Sequence, residues 1–271
     1  MSAPASEPRE EEPVAGRGER LRVALGSLLL GALLLLLLLA AGSMPAFDPD
    51  LFWVAASGRW MLEHLDVPRQ NLFSFTAPEQ PWVMHEWGFG PLYAWGLARF
   101  GAPFLNALSM LGIVALAGLL LRGTFWRSRR LEAPFLVALF ALALAGIHMV
   151  SARPTIFARL FPLGMLLLAF SPRFSRRHAL GAVVLEWVWA SCHGSFPLGI
   201  VMLGISAFED QERRRLRILA CAGAAAITFI GPYGWGLHRL VFEYATGASE
   251  SVGLVHESIL EFRSIADLGP D

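Results

Sequence analysis

The chain of 271 residues contains no lysine, only two cysteines and few charges of either sign. All 22 of its basic residues are arginine, a bias that reads as GC-rich coding rather than chemistry. Charged residues make up 16% of the chain, against about 25% in an average soluble domain. Hydrophobic residues make up 55%. A chain of this length folded in water cannot hide so much apolar surface, so the surplus must face lipid. That excludes a soluble enzyme and a nucleic-acid binder. A formal net charge of zero removes any global pull toward an acidic partner. Cys192 and Cys221 lie in apolar stretches, which predicts buried free thiols and excludes a disulfide scaffold. No zinc, P-loop or dinucleotide motif is present.

What the sequence does contain is a series of apolar blocks separated by arginine clusters. Residues 1–22 are rich in Pro, Glu, Gly and Arg and read as a disordered cytoplasmic tail. Residues 23–41 suit one membrane crossing. They exceed the usual ~7–15-residue core of a signal peptide, so they read as a retained anchor. Residues 42–102 are too polar and proline-interrupted to be a span, and hold five of the nine tryptophans, which favour the membrane–water boundary. Within them Leu51–Leu65 predicts an amphipathic helix with Phe52, Trp53, Trp60, Met61 and Leu65 on its apolar face. Residues 87–100 predict a second helix lying in the interface.

Further apolar blocks follow at 103–121, 131–150, 154–170, 179–208 and 218–231, and residues 236–271 read as an outer loop that ends before its next span. If each arginine cluster is cytoplasmic, 15 arginines lie inside and six outside, with Arg159 in a span, as the positive-inside rule expects. Block 179–208 must then begin and end inside. It turns back at Ser191-Cys192-His193-Gly194-Ser195, and each arm of about 14 residues spans roughly 21 Å of a ~30 Å hydrocarbon core. Irregular backbone at that depth lines a cavity or is buried in protein, so the turn predicts an outward-facing hollow. The expected fold is an all-α polytopic membrane bundle over residues 103–235, with amphipathic juxtamembrane helices in a long first outer loop.

The residues able to carry chemistry cluster on the outer side. Asp48-Pro49-Asp50 offers two carboxylates that could hold a divalent cation or accept a proton, while Asp50 is equally suited to cap the following helix. His85-Glu86 could bind a metal or move a proton, or simply form an interfacial polar patch. His193 lies in the middle of an apolar block beside Gly194, where a polar residue is a functional candidate, and a helix-end structural role is the alternative. Arg153, before Pro154, suits a phosphate ligand or a membrane anchor. Glu186 faces the bundle interior and predicts a pair with Arg159 or a hydroxyl. His148, His178, His238 and His256 show no ligand spacing.

These elements, in this order, resemble the GT-C superfamily of integral-membrane glycosyltransferases, and in particular bacterial multi-pass members with an acidic first outer loop. The stretches that carry the resemblance are Asp48-Pro49-Asp50-Leu51-Phe52-Trp53, Ser57-Gly58-Arg59-Trp60, Val67-Pro68-Arg69, Phe73-Ser74-Phe75-Thr76 and Trp82-Val83-Met84-His85-Glu86-Trp87. Arg153-Pro154, Trp189-Ala190-Ser191-Cys192-His193-Gly194 and Pro232-Tyr233-Gly234-Trp235 complete it. The resemblance implies transfer of a sugar from a polyprenyl-phosphate-type donor to an envelope glycan or lipid acceptor on the outer face of the cytoplasmic membrane. It implies Asp50 or Asp48 as base, Asp50 preferred, and Arg153 and His193 at the donor phosphate. His85 and Glu86 would shape the site. A divalent cation, Mg or Mn, is left open by it. The second reading is a non-catalytic membrane subunit that binds lipid-linked glycan or a membrane protein partner.

Overall fold

The computed structural model describes residues 17–43, 49–127 and 155–247. Segment 131–150, Asp48 and Arg153 lie outside the described residues. Within them the chain is all-helical apart from one antiparallel bridge between Gln70 and Pro81. The helices are α1 (Arg17–Ser43), α2 (Pro49–His64), α3 (Gly90–Phe100), α4 (Ala102–Arg127), α5 (Thr155–Ala169), α6 (Arg176–Cys192), α7 (Pro197–Glu209), α8 (Arg214–Ile227) and α9 (Trp235–Thr246).

Element boundaries follow local chemistry. The start of α1 precedes the apolar block because Arg17 to Arg22 are mostly good helix formers and extend it. Pro91 opens α3, and Gly101, at φ 65°, stops it. Block 179–208 breaks as its composition predicts. His193 adopts an extended backbone after α6, and Pro197 fits the first turn of α7 but not a helix interior.

The face of α2 differs from the expected one. Leu51, Val54, Ala55, Ser57 and Met61 are buried, whereas Phe52 and Leu65 are exposed. The reason is the seam with α3: a Cβ on Gly58 would lie 1.8 Å from the Gly90 carbonyl oxygen. Two backbones this close admit only small side chains between them, while Met61 is buried as expected and Trp53 and Trp60 are partly buried against the core.

The packing order is α1 on α4, α4 on α5, α5 on α6 and α7, and α6 and α7 on α8, with α2 and α3 paired beside the start of α4. Leu30 and Leu37 of α1 meet Ile113 and Leu116 of α4 in one cluster. The main core gathers Phe161, Met165, Trp189, Phe196 and Leu203. Among the described residues, one helix is long and apolar enough to cross a membrane, at Ala102–Arg122. The apolar stretches of α1, α5 and α7 are shorter, at Ala24–Ala40, Ala158–Ala169 and Pro197–Glu209.

The arginine clusters between α5 and α6 and between α7 and α8 sit together. Arg217, buried, donates to the carbonyls of Ala169 and Ser171, pairs with Asp210 at 3.1 Å and lies 4.5 Å over the Phe174 ring. Arg213 donates to the carbonyls of Pro172 and Phe174. These bonds satisfy the last carbonyl of α5 and three carbonyls of the loop that follows it. Arg122 and His178 line one cavity of about 490 Å³ between α4, α5 and α6, which places the end of α4 there too. The 191–195 turn and the loops leading into α3 and α9 therefore occupy the opposite end.

Candidate functional site

The site is assembled at that opposite end by a few bonds between distant parts of the chain. Gly88 donates its N–H to the Ser191 carbonyl at 2.8 Å, docking the loop before α3 onto the last turn of α6. A Cβ there would stand 2.9 Å from the same oxygen and 3.1 Å from Cys192 Sγ, so glycine is what permits the approach. Tyr233 donates its hydroxyl to the Pro68 carbonyl at 2.7 Å, and Arg69 donates to the Pro232 carbonyl at 3.2 Å. Trp187 Nε1 donates to the Ile230 carbonyl at 2.7 Å. The loop between α2 and α3, the 191–195 turn and the α8–α9 corner are thereby tied together.

Asp50 lies in the first turn of α2 and is exposed, accepting a hydrogen bond from Trp53 Nε1 at 3.3 Å. The helix begins one residue before it, so Asp50 sits inside the first turn rather than in the capping position. The Trp53 ring stands 6.4 Å from that of His85 and meets Trp82 edge-on at 5.8 Å. Burial is the main reason that His85 is pulled down to about 4. The neighbouring His193 adds to this, and Asp50 opposes it. Those two charges are felt at His85 only because all three side chains share one region. His85 is therefore neutral near pH 7, and able to accept or donate at either nitrogen without carrying charge.

His193 is fixed by the turn it belongs to. Its Nδ1 accepts the Ser195 backbone N–H at 3.1 Å and lies 2.8 Å from Ser195 Oγ, which itself accepts from Trp189 Nε1 at 3.1 Å. A backbone N–H can only donate, so Nδ1 is the acceptor and the ring proton sits on Nε2. That edge is a hydrogen-bond donor, suited to an anionic oxygen. Glu86 is buried, and its charge reaches Cys192. Its backbone carbonyl accepts from Phe89 and Gly90, forming the turn that leads into α3.

Of the residues singled out from sequence, Asp50, His85, Glu86 and His193 are thus brought to one end. Asp48 and Arg153 lie outside the described residues. Among the described residues no three His, Cys, Asp or Glu side chains are grouped so that they could hold a metal ion. Glu186 does not form its expected pair: neither carboxyl oxygen has a hydrogen-bond partner among the described residues. It points instead at α7, filling the space that a Cβ on Gly199 would take. His178 bonds Ser171 and Ser175, and His238 bonds Thr228 and stacks on Phe229, which are framework roles.

Four contributors escaped the sequence reading. Trp53 is three residues after Asp50, a spacing that puts both on one helix face and could have revealed the bond. Ser195 and Gly88 carry no signal alone, since each acts through a partner distant in space or through the backbone. Tyr233 stood in a quoted stretch without a role. Burial pushes its hydroxyl up to about 12, so it remains a donor. Comparison with family models, with characterised proteins and with solved structures yields no match.

Proposed function

We propose that this protein is a membrane-embedded glycosyltransferase, acting on the outer face of a bacterial cytoplasmic membrane with its N-terminus inside. It moves a sugar from a polyprenyl-phosphate-type donor to a glycan or lipid acceptor of the envelope. The observation that carries this reading is the gathering of Asp50, His85, Glu86 and His193 at the end of the bundle away from the arginine clusters. The polytopic part of the reading draws on the surfaces of the short helices. Leu198, Val201, Ile205 and Phe208 form a stripe along α7 and are each more than half exposed, and Ile218 and Leu219 are exposed on α8. Apolar patches of this size are at home in lipid.

The chemistry divides among the residues. Asp50, exposed and oriented by Trp53, accepts the proton of the acceptor hydroxyl as it attacks the anomeric carbon. The C–O bond to the donor phosphate breaks, and the phosphate leaves with the bonding pair. His193 offers its Nε2–H to the developing charge on that phosphate. His85, neutral, adds no charge to compete with the carboxylate.

The test uses the purified protein in lipid nanodiscs with labelled polyprenyl-phosphate sugars. Asp50→Asn is expected to lower turnover by about two orders of magnitude or more, the range of general-base catalysis. Undiminished turnover in that variant removes the base assignment. Co-purification of a second membrane chain with no turnover in any preparation replaces the enzyme reading by the non-catalytic subunit.

A further inference from the structure

A row of aromatic rings leads from the surface to the candidate site. Phe73 meets Trp82 edge-on at 5.7 Å and 81°, Trp82 meets Trp53 at 5.8 Å and 62°, and Trp53 is 6.4 Å from His85. The outer end is held in place rather than loose. The Gln70–Pro81 bridge closes the loop, and Asn71 Oδ1 accepts the backbone N–H groups of Phe73 and Ser74. Ser74 Oγ accepts the N–H of Ala77. Phe73 is half exposed on this braced loop, and Trp82 and Trp53 are partly exposed behind it. Edge-to-face contact covers one face of one ring in each pair and leaves the remaining faces uncovered by that contact.

We propose that Phe73, Trp82 and Trp53 form a wall that stacks the sugar rings of an oligosaccharide acceptor and feeds its terminal hydroxyl to Asp50. The inference rests on the glycosyl-transfer reading and names the acceptor class within it. Sugar rings present flat C–H faces, which flat apolar partners recognise whatever the hydroxyl pattern, while polar groups nearby fix orientation. The wall serves the acceptor rather than the donor because Trp53 bonds the very carboxylate that takes the acceptor proton. A base must stand within about 2.6–3.2 Å of the proton's oxygen, so the ring bearing that hydroxyl lies beside Trp53. The polyprenyl donor arrives from the lipid side.

Saturation-transfer NMR tests this on the full chain in nanodiscs without donor, using gluco-, manno-, galacto- and arabino-tetrasaccharides as probes. At least one is expected to bind. Phe73→Ala, at a half-exposed site, should weaken that binding roughly three- to tenfold, the worth of one aromatic contact. Trp82→Phe should retain most of the binding. Binding unchanged in Phe73→Ala and in folded Trp82→Ala overturns the wall. So does failure of every tetrasaccharide to bind. In either case donor turnover in the same nanodiscs shows that the transferase reading survives the loss of the wall, and absence of turnover removes both.

Discussion

Gly58→Ala isolates the contact on which the position of Asp50 depends. A methyl group at residue 58 would fall 1.8 Å from the Gly90 carbonyl oxygen and 2.0 Å from its carbon. Both are backbone atoms, so no rotamer change can relieve the overlap, and a normal carbon–oxygen contact requires α2 and α3 to part by roughly 1.5 Å. Overpacking of this kind costs about 1–3 kcal/mol. Relief of glycine's backbone entropy offsets it by about 0.5–1 kcal/mol. The two effects have opposite signs, which makes the outcome decisive. We expect a net loss of about 2 kcal/mol, or a fall of roughly 4–8 °C in Tm for a chain of this size. Turnover should fall further than stability, because Asp50 rides on the same helix and would be carried away from His85. The control is Gly31→Ala in α1, where the added methyl meets open space, and which should be neutral or slightly stabilising. Scanning fluorimetry in detergent reads both. A Gly58→Ala protein as stable as the Gly31→Ala control would refute the close crossing of α2 and α3.

Three further perturbations address the site and its scaffold. His85 is neutral in the folded state down to about pH 4, whereas in the unfolded chain it protonates near 6.5. Stability is therefore complete above pH 6.5 and declines as pH falls toward 4, by at most about 3 kcal/mol for a half-buried ring. Denaturant titrations across that window should show this slope reduced in His85→Gln, and an identical slope in the variant counts against it. Arg217→Met removes the ion pair with Asp210, leaves the buried carbonyls of Ala169 and Ser171 without this donor and should cost about 3 kcal/mol by the same assay, with no loss in the variant rejecting the clasp. Tyr233→Phe deletes the bond to Pro68 and should cost about 1 kcal/mol. Proteolysis at residues 67–82 should also accelerate in that variant, and unchanged cleavage would show that the α8–α9 corner does not brace the loop.

The features legible in the sequence were those written in local composition. The break in block 179–208 could be read from its polar centre at 191–195, and the helices expected at 51–65 and 87–100 from their apolar runs, to within three residues of the observed 49–64 and 90–100. The buried face of α2 could not, because it is decided by Gly58 meeting a backbone carbonyl 32 positions away. Hydrophobicity put Phe52 on the apolar face of the helix, and it is exposed. The grouping of Asp50, His85 and His193 was legible only as a shared side of a predicted topology. Gly88 and Ser191, the pair that brings His85 toward His193, interact through main-chain atoms and have no side-chain signature. Glu186 shows the opposite failure: its polarity suggested a partner, but its oxygens fill a gap left by the missing side chain of Gly199.

The tryptophans show why a composition argument reaches only halfway here. Their number in residues 42–102 is the basis for expecting a membrane boundary, where an indole keeps its ring in lipid and its N–H in water. The indole N–H groups of Trp187 and Trp189, at the end of α6 beside the 191–195 turn, go to protein acceptors, the Ile230 carbonyl and Ser195. At 17 residues α6 rises about 25 Å, and at 13 residues α7 rises about 20 Å, both short of a ~30 Å core. In the proposed orientation the turn joining them lies below the outer boundary, where water cannot satisfy an indole. Each of these two tryptophans therefore needs a built acceptor, and the acceptors are a hydroxyl of the candidate site and the carbonyl of its rim. Substituting Trp189 by Phe removes a donor that Ser195 uses while keeping most of the ring. It should consequently disturb His193, and turnover with it, more than it disturbs the fold.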